Sequence, residues 1–239
     1  IAKQKLRTAL CHRQCFLLER GRAGIIVRPM PAPGESSSEI LRAFSGMRQV
    51  PTPRAEMFTL PGFLPPELCM QLMALIDTNR RPSTIADANG DHYFRTSETC
   101  DLDPAEPAVI ELEKRLIAIN QIDAIYGEPA QGQRYEVGQE FKAHTDYFEP
   151  SGDDYEKYCS VAGQRTWTFM VYLNDVEAGG ATRFKVIDKM FQPEQGRLVC
   201  WNNRRPDGSC NPATLHHAMK VRKGLKYVIT KWYRERPWG

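Results

Sequence analysis

No apolar run in this sequence approaches the ~20 residues that a membrane-spanning helix requires. The longest, such as Cys15-Phe16-Leu17-Leu18, stop after a few positions. The basic start has no apolar stretch ending in small residues, so no secretory leader is expected from the residues present. A disulfide framework is also missing. The seven cysteines (Cys11, Cys15, Cys69, Cys100, Cys159, Cys200, Cys210) are odd in number and scattered. That predicts free thiols in a reducing, cytoplasmic setting. Cys11 and Cys15 flank His12 like half of a zinc site, but no second Cys/His pair lies nearby, and no structural zinc is expected. A large excess of either charge is missing too. A net charge of +3 on 239 residues gives no electrostatic ground for a nucleic-acid partner.

What is present describes an ordinary globular chain, with 41% hydrophobic and 26% charged residues on a length that fits one large domain or a domain with an extension. A helix is predicted over Lys3–Arg20, where Leu6, Leu10, Phe16 and Leu17 recur at roughly helical spacing. Pro29, Pro31, Pro33 and the run Gly34-Glu35-Ser36-Ser37-Ser38 then read as a linker. These features place a boundary near Glu56, with a helical and linker extension over 1–55 and a catalytic domain over 56–239.

Within that domain, Met57-Phe58-Thr59-Leu60 reads as an entry strand. Pro65-Pro66 opens a helix with Leu68, Leu72, Leu75 and Ile76 on one face. Asp103 is the predicted cap of a second helix with Pro104 in its first position and Val109, Leu112, Leu116 and Ile119 as its buried stripe. Asn89-Gly90 signals a hairpin turn between them. Beyond Gln131 the texture changes to short β-type runs separated by Gly, Asp and Pro: 133–137, 141–146, 166–173, 183–186, 197–201, 214–221 and 226–233. Short strands following two helices predict an α+β, mainly β fold: a double-stranded β-helix (jelly roll) core with N-terminal helices packed on one sheet.

The chemistry concentrates in His144-Thr145-Asp146 and the later His216 and Lys226. Two imidazoles and one carboxylate on one face of a metal leave three adjacent positions open, the arrangement of non-haem Fe(II) oxygenases. Residues i and i+2 of a strand share a face, so His144 and Asp146 can reach one ion. The bland alternative for His144 is a core histidine tied to a backbone carbonyl. A two-His, one-Asp zinc hydrolase is a further alternative, which leaves Lys226 without a task.

The surrounding blocks occur in a familiar order. They are Tyr135-Glu136-Val137-Gly138-Gln139 running into Phe141-Lys142-Ala143-His144-Thr145-Asp146-Tyr147-Phe148, then Tyr172-Leu173-Asn174-Asp175-Val176 with Ala178-Gly179-Gly180-Ala181-Thr182. Gly196-Arg197-Leu198-Val199-Cys200-Trp201 follows, and then Leu215-His216 with Val221, Gly224, Lys226 and Thr230-Lys231-Trp232-Tyr233-Arg234-Glu235-Arg236. From Gln133 to Pro237 the chain resembles the prolyl 4-hydroxylase branch of the Fe(II)/2-oxoglutarate dioxygenases. The family pattern sets a Gly eight and a Lys ten residues after the distal histidine. Counting from His216 gives Gly224 and Lys226, whereas His217 gives Leu225 and Tyr227.

The resemblance implies His144, Asp146 and His216 as iron ligands and catalytic residues, and Lys226 as the partner of the far carboxylate of 2-oxoglutarate. Tyr135, Tyr172 and Thr230 are implied cosubstrate contacts, although both tyrosines also suit a strand core. Arg95, Tyr147 and Trp232 are implied on the substrate side, with packing the alternative for Trp232. The implied reaction is hydroxylation of an unactivated C–H bond with O2 consumed and succinate and CO2 formed. Its cofactors are Fe(II), 2-oxoglutarate and, by family expectation, ascorbate. The carboxylate of Asp146 argues for hydroxylation, since halogenating relatives lack it. A peptidyl proline is the expected substrate, with a free amino acid or other small molecule as the alternative. The third reading is a catalytically silent binding module with Lys3–Ser38 as a docking arm, yet neither a metal ligand nor the basic cosubstrate residue is lost. In many relatives a small residue follows the distal histidine and a proline comes soon after, where this chain has His217 and Lys220. Arg204-Arg205 and the acidic Asp153-Asp154 and Glu156 either line a charged groove or are solvated loops. No nucleic-acid or membrane partner is expected.

Overall fold

The computed structural model describes residues 16–21, 24–29, 37–83, 94–152 and 155–238. In chain order the elements begin with β1 (Phe16–Gly21), β2 (Gly24–Pro29), α1 (Ser37–Ala43), β3 (Arg48–Gln49), β4 (Met57–Leu60) and α2 (Pro66–Asn79). Next come β5 (Arg81–Pro82), β6 (Glu98–Asp101), α3 (Pro107–Asn120), β7 (Gln131–Tyr135), β8 (Phe141–His144) and α4 (Tyr155–Cys159). The remainder is β9 (Arg165–Tyr172), β10 (Ala178–Gly179), β11 (Thr182–Phe184), β12 (Lys189–Phe191), β13 (Leu198–Asn202), β14 (His216–Ala218), β15 (Val221–Lys223) and β16 (Lys226–Arg234).

Two sheets form the jelly roll. The larger runs β3-β4-β13-β9-β16-β7-β6-β5 and the smaller β12-β11-β14-β8, with β10 and β15 pairing separately. Every ladder is antiparallel. Strand alternation divides the large sheet into two faces. On β9, Trp167, Phe169 and Val171 turn outward into a core shared with Leu68, Leu72 and Ile76 of α2 and Val109, Leu112 and Leu116 of α3. Met170 and Tyr172 of the same strand turn inward, joining Trp201, Phe184, Val228 and Tyr135 between the sheets. The long strand β16 follows the same rule, with Tyr227, Ile229 and Tyr233 on the helix side and Lys226, Val228, Thr230 and Trp232 toward the interior.

Several local expectations meet a different outcome. Residues 16–20, expected within a helix over Lys3–Arg20, lie on β1 and pair with β2 as an antiparallel hairpin. Gly21 and Gly24 are its last paired residues, and Ile25-Ile26-Val27 is β-branched, a composition that favours strand over helix. The rest of that predicted helix, the Cys11/Cys15 pair, Asn89-Gly90 and Asp153-Asp154 lie outside the described residues. The second helix starts at Pro107, not Pro104. Glu106 before it is extended, at φ −68° and ψ 132°, as the residue preceding a proline tends to be. Pro107 cannot donate to the Asp103 carbonyl, so a helix begun at Pro104 would lose a hydrogen bond there. Asp103 instead caps the preceding turn, its carboxylate accepting from the Ala105 N–H at 2.8 Å. The run 214–221 divides into β14 and β15. The expected boundary at Glu56 falls inside the packed body, since Leu41 and Val50 are buried with the two cores and β3 extends the large sheet.

α2 lies so close to β7 that Gly132 has no room for a side chain. A Cβ there would stand 2.3 Å from Cγ1 of Ile76. Gly132→Ala is expected to destabilise the protein by about 1–3 kcal/mol through overpacking. The readout is a lower urea midpoint with an unchanged slope; an unchanged midpoint would mean that α2 does not seat on this strand.

Candidate metal and cosubstrate site

His144 is the last residue of β8 and His216 the first of β14, and the two stand opposite each other in the ladder. Their rings are 4.3 Å apart. Asp146 is not on the strand. The chain leaves β8 after His144, and the carboxylate reaches the histidines from the bend that follows. The same-face argument for His144 and Asp146 therefore arrives at the right neighbours by a different local route. Asp146 Oδ1 is 3.8 Å from His144 Nε2 and 3.9 Å from His216 Nε2. One ligand atom from each residue falls within 4.8 Å of the others, the spacing of a shared ion.

The imidazoles are aimed by their far nitrogens. His144 Nδ1 donates to the Lys142 carbonyl at 2.7 Å, and His216 Nδ1 to the Thr214 carbonyl at 3.0 Å. A ring whose Nδ1 carries the hydrogen presents a bare Nε2, as a metal ligand must. Burial, followed by the neighbouring His216, holds His144 down to about 3. Burial pushes the Asp146 carboxyl up, but His216, His144, Arg165 and the Thr168 hydroxyl outweigh it and leave it below its ordinary value. A neutral imidazole beside an ionised carboxylate is the donor set that suits Fe(II).

Lys226 opens β16 across the pocket, on the other sheet, paired with Tyr135. It is 1% exposed. Its ammonium nitrogen has no hydrogen-bond partner among the described residues. The nearest compensation is the ring of Tyr135 at 4.9 Å and that of Tyr172 at 5.6 Å. Burial lowers it to about 7. A cation enclosed this way lacks an anion, and a dicarboxylate supplies one.

Lys226, His144, Asp146 and His216 line one cleft, together with Tyr135, Thr230, Arg95, Trp232, Gln133 and Thr182. The Tyr135 hydroxyl donates to Gln133 Oε1 at 2.8 Å, and Gln133 Nε2 donates to Thr230 Oγ1 at 3.2 Å. Arg95 stacks its guanidinium over Phe141 at 4.8 Å, and Phe141 stacks on His144 at 3.5 Å. Two anticipated residues are not among those that line the cleft. The Tyr172 hydroxyl lies 2.7 Å from Thr182 Oγ1 and 3.1 Å from the Phe191 carbonyl oxygen, and Tyr147 is the second. His217 faces away from the triad and meets Glu140 Oε2 at 3.0 Å, with Lys220 3.4 Å from the other oxygen. Arg204 pairs with Glu235 at 3.6 Å.

Sequence reading missed the residues that support the ligands. Thr168 Oγ1 donates to Asp146 Oδ2 at 2.7 Å. Arg165 donates to the Asp146 carbonyl at 3.3 Å while its other nitrogens grip Glu128 at 2.6 and 2.7 Å. Arg234 shares that carboxylate at 2.9 Å. The available signal was Thr168 itself, a hydroxyl between Trp167 and Phe169 on a strand buried along most of its length.

A sequence model of the 2OG-Fe(II) oxygenase superfamily matches residues 130–234. "Probable prolyl 4-hydroxylase 3" of Arabidopsis thaliana is 31% identical over 204 residues, covering 75% of this chain and 69% of that protein. The prolyl 4-hydroxylase subunit alpha-1 of Gallus gallus is 32% identical over 145 residues, 60% of this chain and 28% of the relative. Among solved structures, the viral collagen prolyl hydroxylase of Paramecium Bursaria Chlorella virus-1, in its 2OG complex, aligns with a TM-score of 0.58 at 26% identity. That alignment covers 74% of this chain and 95% of the viral one. The chain therefore belongs to the 2OG-Fe(II) oxygenase superfamily, among proteins named prolyl 4-hydroxylases, and is a 2-oxoglutarate-dependent dioxygenase with Fe(II) and 2-oxoglutarate as its cofactors.

The unpartnered lysine yields a stability test. Its folded value lies below its unfolded one, so the unfolded chain binds more protons between about pH 7 and the ordinary lysine range. This contribution to stability is full above that range, is lost as pH falls toward 7, and flattens below it. Lys226→Met removes the contribution. Without cofactors, the variant should be more stable than wild type at pH 7, and the gap should narrow by about 2 kcal/mol by pH 9. A pH-independent gap in urea unfolding would refute the buried, uncompensated ammonium.

Proposed function

We propose that the protein hydroxylates a peptidyl proline at an unactivated C–H bond, consuming O2 and 2-oxoglutarate and forming succinate and CO2. The observation that carries this reading is the convergence of His144, Asp146 and His216 in one cleft with the unpartnered ammonium of Lys226. Similarity to proteins named prolyl 4-hydroxylases supports the substrate class.

His144, Asp146 and His216 would hold the metal, and Lys226 would hold the far carboxylate of 2-oxoglutarate. When bound, ferrous iron with its keto-acid supplies the O2-dependent oxidation of the C–H bond. The protein's part is aim and exclusion. His144 and His216 keep their Nε2 atoms bare because Lys142 and Thr214 hold their Nδ1 hydrogens. Lys226 gives the dicarboxylate one orientation, with Tyr135 and Thr230 beside it as hydroxyl partners. Met170, Val228 and Ala218 give the cleft an apolar wall that limits water. Arg95 and Trp232 line the same cleft and are assigned to the substrate side. The Trp232 indole nitrogen is buried without a hydrogen-bond partner among the described residues, which leaves it available to a substrate oxygen.

His144→Ala or Asp146→Ala is expected to abolish substrate-dependent succinate formation while circular dichroism stays unchanged; turnover by either variant would remove these residues from the metal. Lys226→Ala should raise the KM for 2-oxoglutarate by roughly 30-fold or more, since a buried charge loses its counter-charge. His217→Ala should keep turning over, because its partner is Glu140 and not the triad. A panel of proline-containing peptides, scored by mass for the gain of one oxygen atom, tests the substrate. Oxidation of free proline or another small molecule with no peptide product would transfer the same chemistry to a metabolite.

A further inference from the structure

Asp146 turns only one of its two oxygens toward the histidines, and the other is held by a buried chain of hydrogen bonds that spans β9 and β13. Oδ2 accepts from Thr168 Oγ1 at 2.7 Å. Thr168 Oγ1 accepts from Asn203 Nδ2 at 2.9 Å. Asn203 Oδ1 in turn accepts from the indole Nε1 of Trp201 at 3.1 Å. Thr168 and Asn203 are 0% exposed and Trp201 is 1% exposed, so no solvent competes for these atoms.

The direction of this chain is forced from its far end. An indole nitrogen can only donate, so Asn203 must present its oxygen to Trp201 and its NH2 to Thr168. The flipped amide would set N–H against N–H. Thr168 then has one hydrogen left, and the remaining acceptor is Asp146 Oδ2. Strand register supplies the geometry, because Trp201 stands opposite Thr168 in the β9–β13 ladder and Asn203 follows just past the strand end. Trp201 also packs its ring against His216, 5.0 Å away at 63°. One side chain thus contacts one ligand directly and orients another through the relay.

We propose that Asn203 is a positioning residue of the metal centre. Through Thr168 it keeps a hydrogen on Asp146 Oδ2 and leaves Oδ1, the oxygen 3.8 and 3.9 Å from the two imidazole Nε2 atoms, as the one offered to the ion. This rests on reading His144, Asp146 and His216 as the ligands. The local turn does not need the Asn203 side chain. The backbone N–H of Asn203 already donates to the Thr166 carbonyl at 2.7 Å, and its carbonyl accepts from the Asn211 N–H at 2.8 Å.

The test uses the metal-free full chain titrated with Mn(II), free ion being read by its paramagnetic resonance signal, with folding followed by circular dichroism. Thr168→Val deletes the hydrogen on Oδ2. Asn203→Asp keeps the shape but can only accept, so it draws the Thr168 hydrogen away from Asp146. Both are expected to weaken Mn(II) binding roughly 10- to 100-fold. Thr168→Ser, which restores the hydroxyl, should bind close to wild type. Should the added charge unfold Asn203→Asp, Thr168→Val carries the decision. Wild-type affinity in folded Thr168→Val, with wild type itself binding Mn(II) and His144→Ala failing to, overturns the relay alone. A wild-type protein that binds no Mn(II) overturns the ligand assignment beneath it.

Discussion

Charge enclosed between two sheets governs this structure. The β-sandwich interior holds a carboxylate at Asp146 and an ammonium at Lys226, both at least nine-tenths buried, and treats them in opposite ways. Asp146 is surrounded by two imidazoles, a hydroxyl and the guanidinium of Arg165, which together overcome the cost of burial. Among the described residues, Lys226 has two aromatic rings beside it and no hydrogen-bonding anion. Removing a charge from water costs several kcal/mol unless a partner restores it. The protein by itself is therefore complete around the carboxylate and incomplete around the lysine. That asymmetry marks one end of the cleft for a ligand that brings negative charge.

The rest of the fold serves to hold this interior fixed. β8 and β14 bring His144 and His216 face to face through strand register, and β16 delivers Lys226 from the opposite sheet. Each imidazole is then locked by a backbone carbonyl, and the carboxylate by the Thr168–Asn203–Trp201 relay. The outer face of the large sheet is packed separately, by α2 and α3, around Trp167, Phe169 and Tyr233. Because strand residues alternate, one sheet supports an apolar core on one side and polar chemistry on the other. The Glu128 carboxylate ties Arg165 and Arg234 together next to the bend carrying Asp146, so the edge of the site is braced by ionic contacts where the strand has ended.

Local sequence determined a good deal here. Periodicity located α2, the stripe on α3 and most of the short strands, because a 3.6-residue or two-residue repeat is a property of neighbouring positions. The resemblance separated His216 from His217, since the family pattern of a Gly eight and a Lys ten residues on is met from only one of them; the two side chains do face opposite ways, His217 toward Glu140. Failures came where a local signal competed with another. The helix expected to open at Pro104 opens at Pro107 instead, because a proline cannot donate inside the first turn. Phe16-Leu17-Leu18, expected in a helix, pairs with Gly24–Pro29 as a strand.

The tertiary structure alone decided which polar groups are spent and which are left over. Tyr172 and Tyr135 looked alike in sequence, yet only Tyr135 lines the cleft, with its hydroxyl on Gln133, while the Tyr172 hydroxyl is held by Thr182 and Phe191. Thr168, Asn203 and Trp201 carry no motif, and their significance arises only because β9 and β13 place them in a row behind Asp146. His144, Asp146, His216 and Lys226 could be picked out of the chain because residue type and spacing, which the resemblance to a family pattern rests on, are properties of the chain itself. Hydrogen-bond direction, desolvation and the missing anion at Lys226 could not, because each is a relation between residues that the chain brings together only by folding.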